Sequence, residues 1–81
     1  MVVDAAAVRA VSAEAARVAG EMKPQDISNT LYAFAKLSEK GVNVDVDAVR
    51  AVSAEAARVA GAMDPQHISN ILWAVAKLSP G

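Results

Sequence analysis

The sequence predicts an all-α fold, an α-solenoid of two tandem helical hairpins with four helices in all. Three observations carry this expectation. Displacing the 81-residue sequence by 41 positions pairs residues 3–40 with 44–81, and 28 of the 38 pairs are identical, so the chain is a tandem duplication. The hydrophobic content of 54% is dominated by Ala and Val, and Ala is the strongest helix former. Within each copy the apolar residues recur at helical rather than alternating spacing, in two blocks divided by a proline.

Copy one, residues 3–40, opens with Asp4 as a candidate N-cap. Val8, Val11, Ala15, Val18 and Met22 follow on one narrow apolar stripe of a first helix. The stripe uses small side chains, so its partner is expected to approach closely. Gly20, then Lys23 and Pro24, reads as helix stop, short connector and restart, with Pro24 at the first helical position where its missing N–H costs nothing. The second helix is expected from near Pro24 to near Leu37. It places Ile27, Thr30, Leu31, Phe34, Ala35 and Leu37 on one broad core face. Gly41 is a good C′ residue, and Asp45 or Asp47 caps the third helix.

Copy two, residues 44–81, repeats the plan. The run from Ala48 to Gly61 reproduces Ala7 to Gly20 without change, and Asp64 before Pro65 is a better cap than Lys23 before Pro24. The fourth helix, from near Pro65 to near Leu78, puts Ile68, Ile71, Leu72, Val75, Ala76 and Leu78 on its core face. Two such units leave apolar ends, whereas solenoids generally need at least three repeats and polar terminal caps. The sequence is therefore expected to be a fragment of a longer repeat array or a partnered chain.

Composition narrows the function classes. With no Cys there is no disulfide framework, thiolate zinc site or thiol nucleophile, and His67 is the only histidine, so no metal site is expected. A formal net charge of −1 provides no global field toward nucleic acid or membrane, so binding of either kind needs a local patch. No apolar run has the length of a membrane span, and the opening residues lack the basic and long apolar regions of a signal peptide. There is no Gly-rich phosphate loop, His-Glu-x-x-His or nucleophile elbow. An enzyme activity, a cofactor and a small-molecule substrate are all unexpected.

The second helices carry the most specific signal. Pro24-Gln25-Asp26-Ile27-Ser28-Asn29-Thr30-Leu31-Tyr32-Ala33-Phe34-Ala35-Lys36-Leu37 and Pro65-Gln66-His67-Ile68-Ser69-Asn70-Ile71-Leu72-Trp73-Ala74-Val75-Ala76-Lys77-Leu78 share a Pro-Gln, Asn, aromatic-Ala, Ala-Lys-Leu pattern. This pattern resembles the signature helix of octotricopeptide repeat proteins, and the resemblance covers nearly the whole chain. It implies an α-solenoid that binds single-stranded RNA in the chloroplast or mitochondrion and supports transcript stability, processing, translation or ribosome architecture. The Ala-rich first helices match only as generic hairpin sequence.

On the helical wheel Gln25, Asn29, Tyr32 and Lys36 lie opposite the Ile27–Leu31 face, and Gln66, Asn70, Trp73 and Lys77 repeat the stripe. The amides can pair with base edges, the aromatics can stack, and the lysines can hold phosphate. The plain alternatives are inter-repeat packing for the aromatics, backbone hydrogen bonds for the Asn pair and simple solvation for the lysines. Ten aligned pairs differ, and a repeat that reads different bases should vary where it reads. Asp26 against His67, beside Gln25 and Gln66, is the best such position; the alternative is two exposed polar residues in a first helical turn, where Asp26 suits the helix dipole. Arg9 and Arg50 are further phosphate candidates if the first helices line a groove. The competing functional expectation is a protein-interaction scaffold or a structural subunit of an organellar ribonucleoprotein that reads no bases.

Overall fold

The computed structural model describes residues 4–79. Among them are four α-helices and no strand: α1 (Ala5–Val18), α2 (Pro24–Glu39), α3 (Val46–Arg58) and α4 (Pro65–Leu78). None of these helices is long and apolar enough to cross a membrane.

Local chemistry sets each boundary. Asp4 Oδ1 accepts the Ala7 N–H and Asp45 Oδ1 accepts the Ala48 N–H, both at 3.1 Å, so one orphan donor at the start of α1 and of α3 is satisfied. After α1 and α3 the chain tightens into one 3₁₀ turn, Ala19–Glu21 and Ala60–Ala62. It then extends through Lys23 and Asp64, at ψ 164° and 171°, as a residue before proline must. α2 ends in a Schellman motif: Gly41 takes φ 79°, its N–H bonds to the Ser38 carbonyl, and the Val42 N–H bonds to that of Leu37. Only glycine adopts that backbone conformation without a Cβ penalty.

The packing runs between the two copies rather than within either. α2 lies along α4 and also against α3, and α3 packs on α1. The buried apolar residues form a single cluster, Ala19, Ile27, Leu31, Phe34, Ala35, Ala48, Val52, Ile71 and Ala74, to which all four helices or their adjoining turns contribute. Four of the nine are alanines, so the helices meet through small side chains, as the composition predicts.

Two expectations of burial are corrected. On α4 the predicted core face is mostly uncovered: Ile71 is buried, but Ile68, Leu72, Val75 and Ala76 are exposed. The predicted stripe of α1, Val8, Val11, Ala15, Val18 and Met22, lines an open apolar groove of about 670 Å³ between α1 and α2. The physical reason is the same in both places. Periodicity identifies an apolar face, but a neighbouring element must cover it. Among the described residues, α4 has α2 on one side only, and the outer side of the α1–α2 pair has no helix against it.

Candidate nucleic-acid interface

Because α2 and α4 run alongside each other, the two polar stripes are brought onto one side of the molecule. Near the N-terminal ends of the two helices they enclose a small polar cleft of about 210 Å³, lined by Gln25, Ser28 and Asn29 from α2 and by Gln66, His67 and Asn70 from α4, with the N-cap Asp64. Five of the six base-reading candidates therefore share one cleft: Gln25, Asn29, Gln66, His67 and Asn70. Among the described residues, the hydrogen bonds formed beside the cleft are those of the helix caps, and none comes from the four side-chain amides.

The sixth candidate, Asp26, does not line the cleft. Its Oδ2 accepts the Lys23 N–H at 3.0 Å, which ties the carboxylate to the start of α2. His67 has the same duty in α4, where its Nδ1 accepts the Asp64 N–H at 3.3 Å and its own N–H donates to Asp64 Oδ1 at 3.0 Å. Asp26 and His67 are thus two chemical solutions to one capping position. The Asp64–His67 pair makes a reciprocal capping box. Lys23 has no acceptor in its side chain, so α2 has only half of one. His67 differs from Asp26 in also facing the cleft, with Nε2 left as the ring's donor when Nδ1 accepts.

Ser28 was not singled out by sequence reasoning. It is 1% exposed, it lines the cleft, and its Oγ is buried with no hydrogen-bond partner. A buried hydroxyl without a partner carries a desolvation cost. The available signal was its position one residue before Asn29 and three after Gln25, which puts it on the margin of the polar stripe.

One turn further along each helix the aromatics meet. The Tyr32 and Trp73 rings lie 5.1 Å apart at 35°, a tilted pair, so the expected packing between copies is present. Both lysines gather on it: Lys36 Nζ is 5.5 Å from the Tyr32 centroid and 5.2 Å from that of Trp73, and Lys77 Nζ is 5.6 Å from Trp73. Glu39, another residue the sequence reading passed over, lies between the two ammonium groups, 3.2 Å from Lys77 and 3.6 Å from Lys36. The hydrogen bond from Lys77, with the positive charges of both lysines, lowers the Glu39 pKa from its ordinary value despite an opposing desolvation contribution. Its signal was the Lys36–Glu39 spacing of three on a helix, and Pro80 takes its place in copy two.

Arg9 and Arg50 stand apart on α1 and α3, both exposed, and neither lines the cleft. Arg50 is 4.0 Å from Asp47. Among known protein families, curated proteins and solved structures, none matches this chain.

Proposed function

We infer that the two hairpins are consecutive units of an α-solenoid that binds single-stranded RNA along the α2–α4 face without catalysis. The observation that carries the reading is the polar cleft. Gln25, Asn29, Gln66 and Asn70 offer amide donors and acceptors unspent on the protein, beside a buried hydroxyl that also lacks a partner. Amides match the mixed donor and acceptor edges of unpaired bases. The adjoining Tyr32–Trp73 pair with its two lysines adds stacking surface and positive charge for the following nucleotide and its phosphate. The resemblance of both second helices to octotricopeptide repeats supports the same reading and gives it a setting in chloroplast or mitochondrial gene expression.

One observation favours the scaffold alternative: Glu39 pairs with both Lys36 and Lys77 and so offsets the charge that phosphates would seek. Asn29→Ala with Asn70→Ala separates the two readings. Among the described residues neither amide is hydrogen-bonded to the protein, and Ala is the better helix former, so the urea midpoint should hold or rise slightly. Under the RNA reading the same variant loses affinity for a fluorescein-labelled single-stranded RNA in an anisotropy titration, so binding falls while stability does not. Wild-type protein that shows no saturable binding to single strands up to roughly 10⁻⁴ M, the weak end of non-specific nucleic-acid affinity, would pass the function to the scaffold reading.

A further inference from the structure

The duplication supplies an internal comparison at the seam between the copies. On the C-terminal side of copy one, Ile27, Leu31 and Ala35 are fully buried, while their identical counterparts in copy two, Ile68, Leu72 and Ala76, are exposed. The receiving side shows the mirror pattern. Ala48, Val52 and Ala74 are fully buried, while Ala7, Val11 and Ala33, again identical, are exposed and line the open groove between α1 and α2. The contrast is large at single positions: Leu31 is 0% and Leu72 65% exposed, and Val52 is 0% and Val11 68% exposed.

The filled seam and the open faces therefore have the same chemistry. Within the molecule, α2 packs against both α3 and α4. The outer face of α4 repeats the residues of α2 that are buried there, and the α1–α2 groove repeats the residues of α3 and α4 that receive them. Thr30 in place of Ile71 and Phe34 in place of Val75 are the differences in the groove. Its lining remains apolar at both positions apart from the Thr30 hydroxyl.

We propose that copies of this chain associate head to tail, the exposed face of α4 on one molecule seating in the α1–α2 groove of the next. A second copy is the occupant that the residues themselves specify, because the contact continues an interface already present inside the molecule, with the same side chains apart from Thr30 and Phe34 in the groove. The contact is heterologous: each molecule uses one face as donor and a different face as acceptor, and satisfying one pair leaves another free at each end. Growth therefore continues past the dimer, to a closed ring or an open filament according to the rotation at each junction. Each junction also brings Gln66 and Asn70 of one molecule toward Gln25 and Asn29 of the next, extending the polar face along the assembly.

The test is sedimentation equilibrium of the 81-residue chain, with Val11→Glu closing the groove and Leu72→Glu closing the ridge. Both side chains are exposed in the single molecule, so neither substitution disturbs its core. The wild-type weight-average mass should rise with concentration from 8.3 kDa past twice that value. Each variant alone should stay monomeric, because every possible contact then includes a damaged face. An equimolar mixture should form a 1:1 complex and grow no further, since it contains one intact groove type and one intact ridge type. If either variant loses its helical circular dichroism, Ala33→Glu or Ala76→Glu replaces it on the same face. Wild-type protein that remains monomeric at millimolar concentration, a wild-type assembly that closes at the dimer, or folded variants that fail to pair when mixed would each overturn the proposal.

Discussion

Leu31→Ala should destabilise the fold by about 2–5 kcal/mol, while Leu72→Ala, the same substitution at the same place in the second copy, should cost no more than about 0.5 kcal/mol. The two leucines have identical neighbours along their helices at most positions, so local propensity cancels in the comparison. What differs is burial. Leu31 is completely enclosed within the single core cluster, whereas Leu72 is exposed, so truncating Leu31 removes apolar contacts and leaves a cavity and truncating Leu72 leaves none. An 81-residue domain has a total stability of about 4–12 kcal/mol, which brings the Leu31 variant close to the unfolding threshold. Urea denaturation followed by circular dichroism at low protein concentration measures both costs. Equal losses would show that both leucines are buried to the same degree in the single molecule, contrary to the packing described.

Glu39→Gln should tighten binding to all single-stranded RNAs at low salt and steepen the salt dependence. The carboxylate now holds the ammonium groups of both Lys36 and Lys77, and the neutral amide releases them to phosphate. For single strands each phosphate neutralised contributes about 0.7 to the slope of log affinity against log salt, so freeing both lysines steepens it by as much as about 1.4. Lys36→Ala with Lys77→Ala should remove only the share of that roughly 1.4 which the lysines already supply beside Glu39, so the two changes together sum to about 1.4, and it should weaken every sequence alike. Acid should act in the same direction as Glu39→Gln. The Glu39 pKa is lowered in the folded chain, so the ion pairs are intact above its ordinary value of 4.5 and are lost as pH falls through the lower folded value. Fluorescence anisotropy across a salt series checks the slopes. An unchanged slope in Glu39→Gln would mean that the lysines do not contact phosphate.

The helices and their limits were legible because local chemistry decides them. Asp45 caps α3, Pro24 and Pro65 begin α2 and α4, and Gly41 ends α2. α2 runs to Glu39, one turn-fraction beyond the expected Leu37, because the Schellman bonds at Gly41 carry it on. Burial was legible only as a choice of face. Ile27 and Ile68 are identical residues on near-identical helices, and their opposite exposure comes from which helix lies beside each, a tertiary fact absent from any window of sequence. The polar cleft shows the same division. The stripe of Gln25, Asn29, Gln66 and Asn70 follows from helical spacing, but its enclosure depends on α2 lying along α4. Asp26 and His67 differ between the copies, which makes them a candidate reading position. Their shared role as acceptors for the preceding cap became visible only in the hydrogen bonds. Glu39 was passed over for the converse reason: its Lys36 partner lies three residues away, but its stronger partner, Lys77, is on another helix.

The most direct measurement is a nuclear magnetic resonance titration of 15N-labelled protein with a short single-stranded RNA, following the side-chain amides of Gln25, Asn29, Gln66 and Asn70 and the indole N–H of Trp73. Binding in the cleft predicts saturable shifts of these five resonances at RNA concentrations that leave the backbone amides in the middle of α1 and α3 unmoved, with no comparable response to duplex RNA of the same length. Side-chain amides that stay in place while resonances elsewhere shift, or no shift at all, would contradict a single-strand interface between α2 and α4.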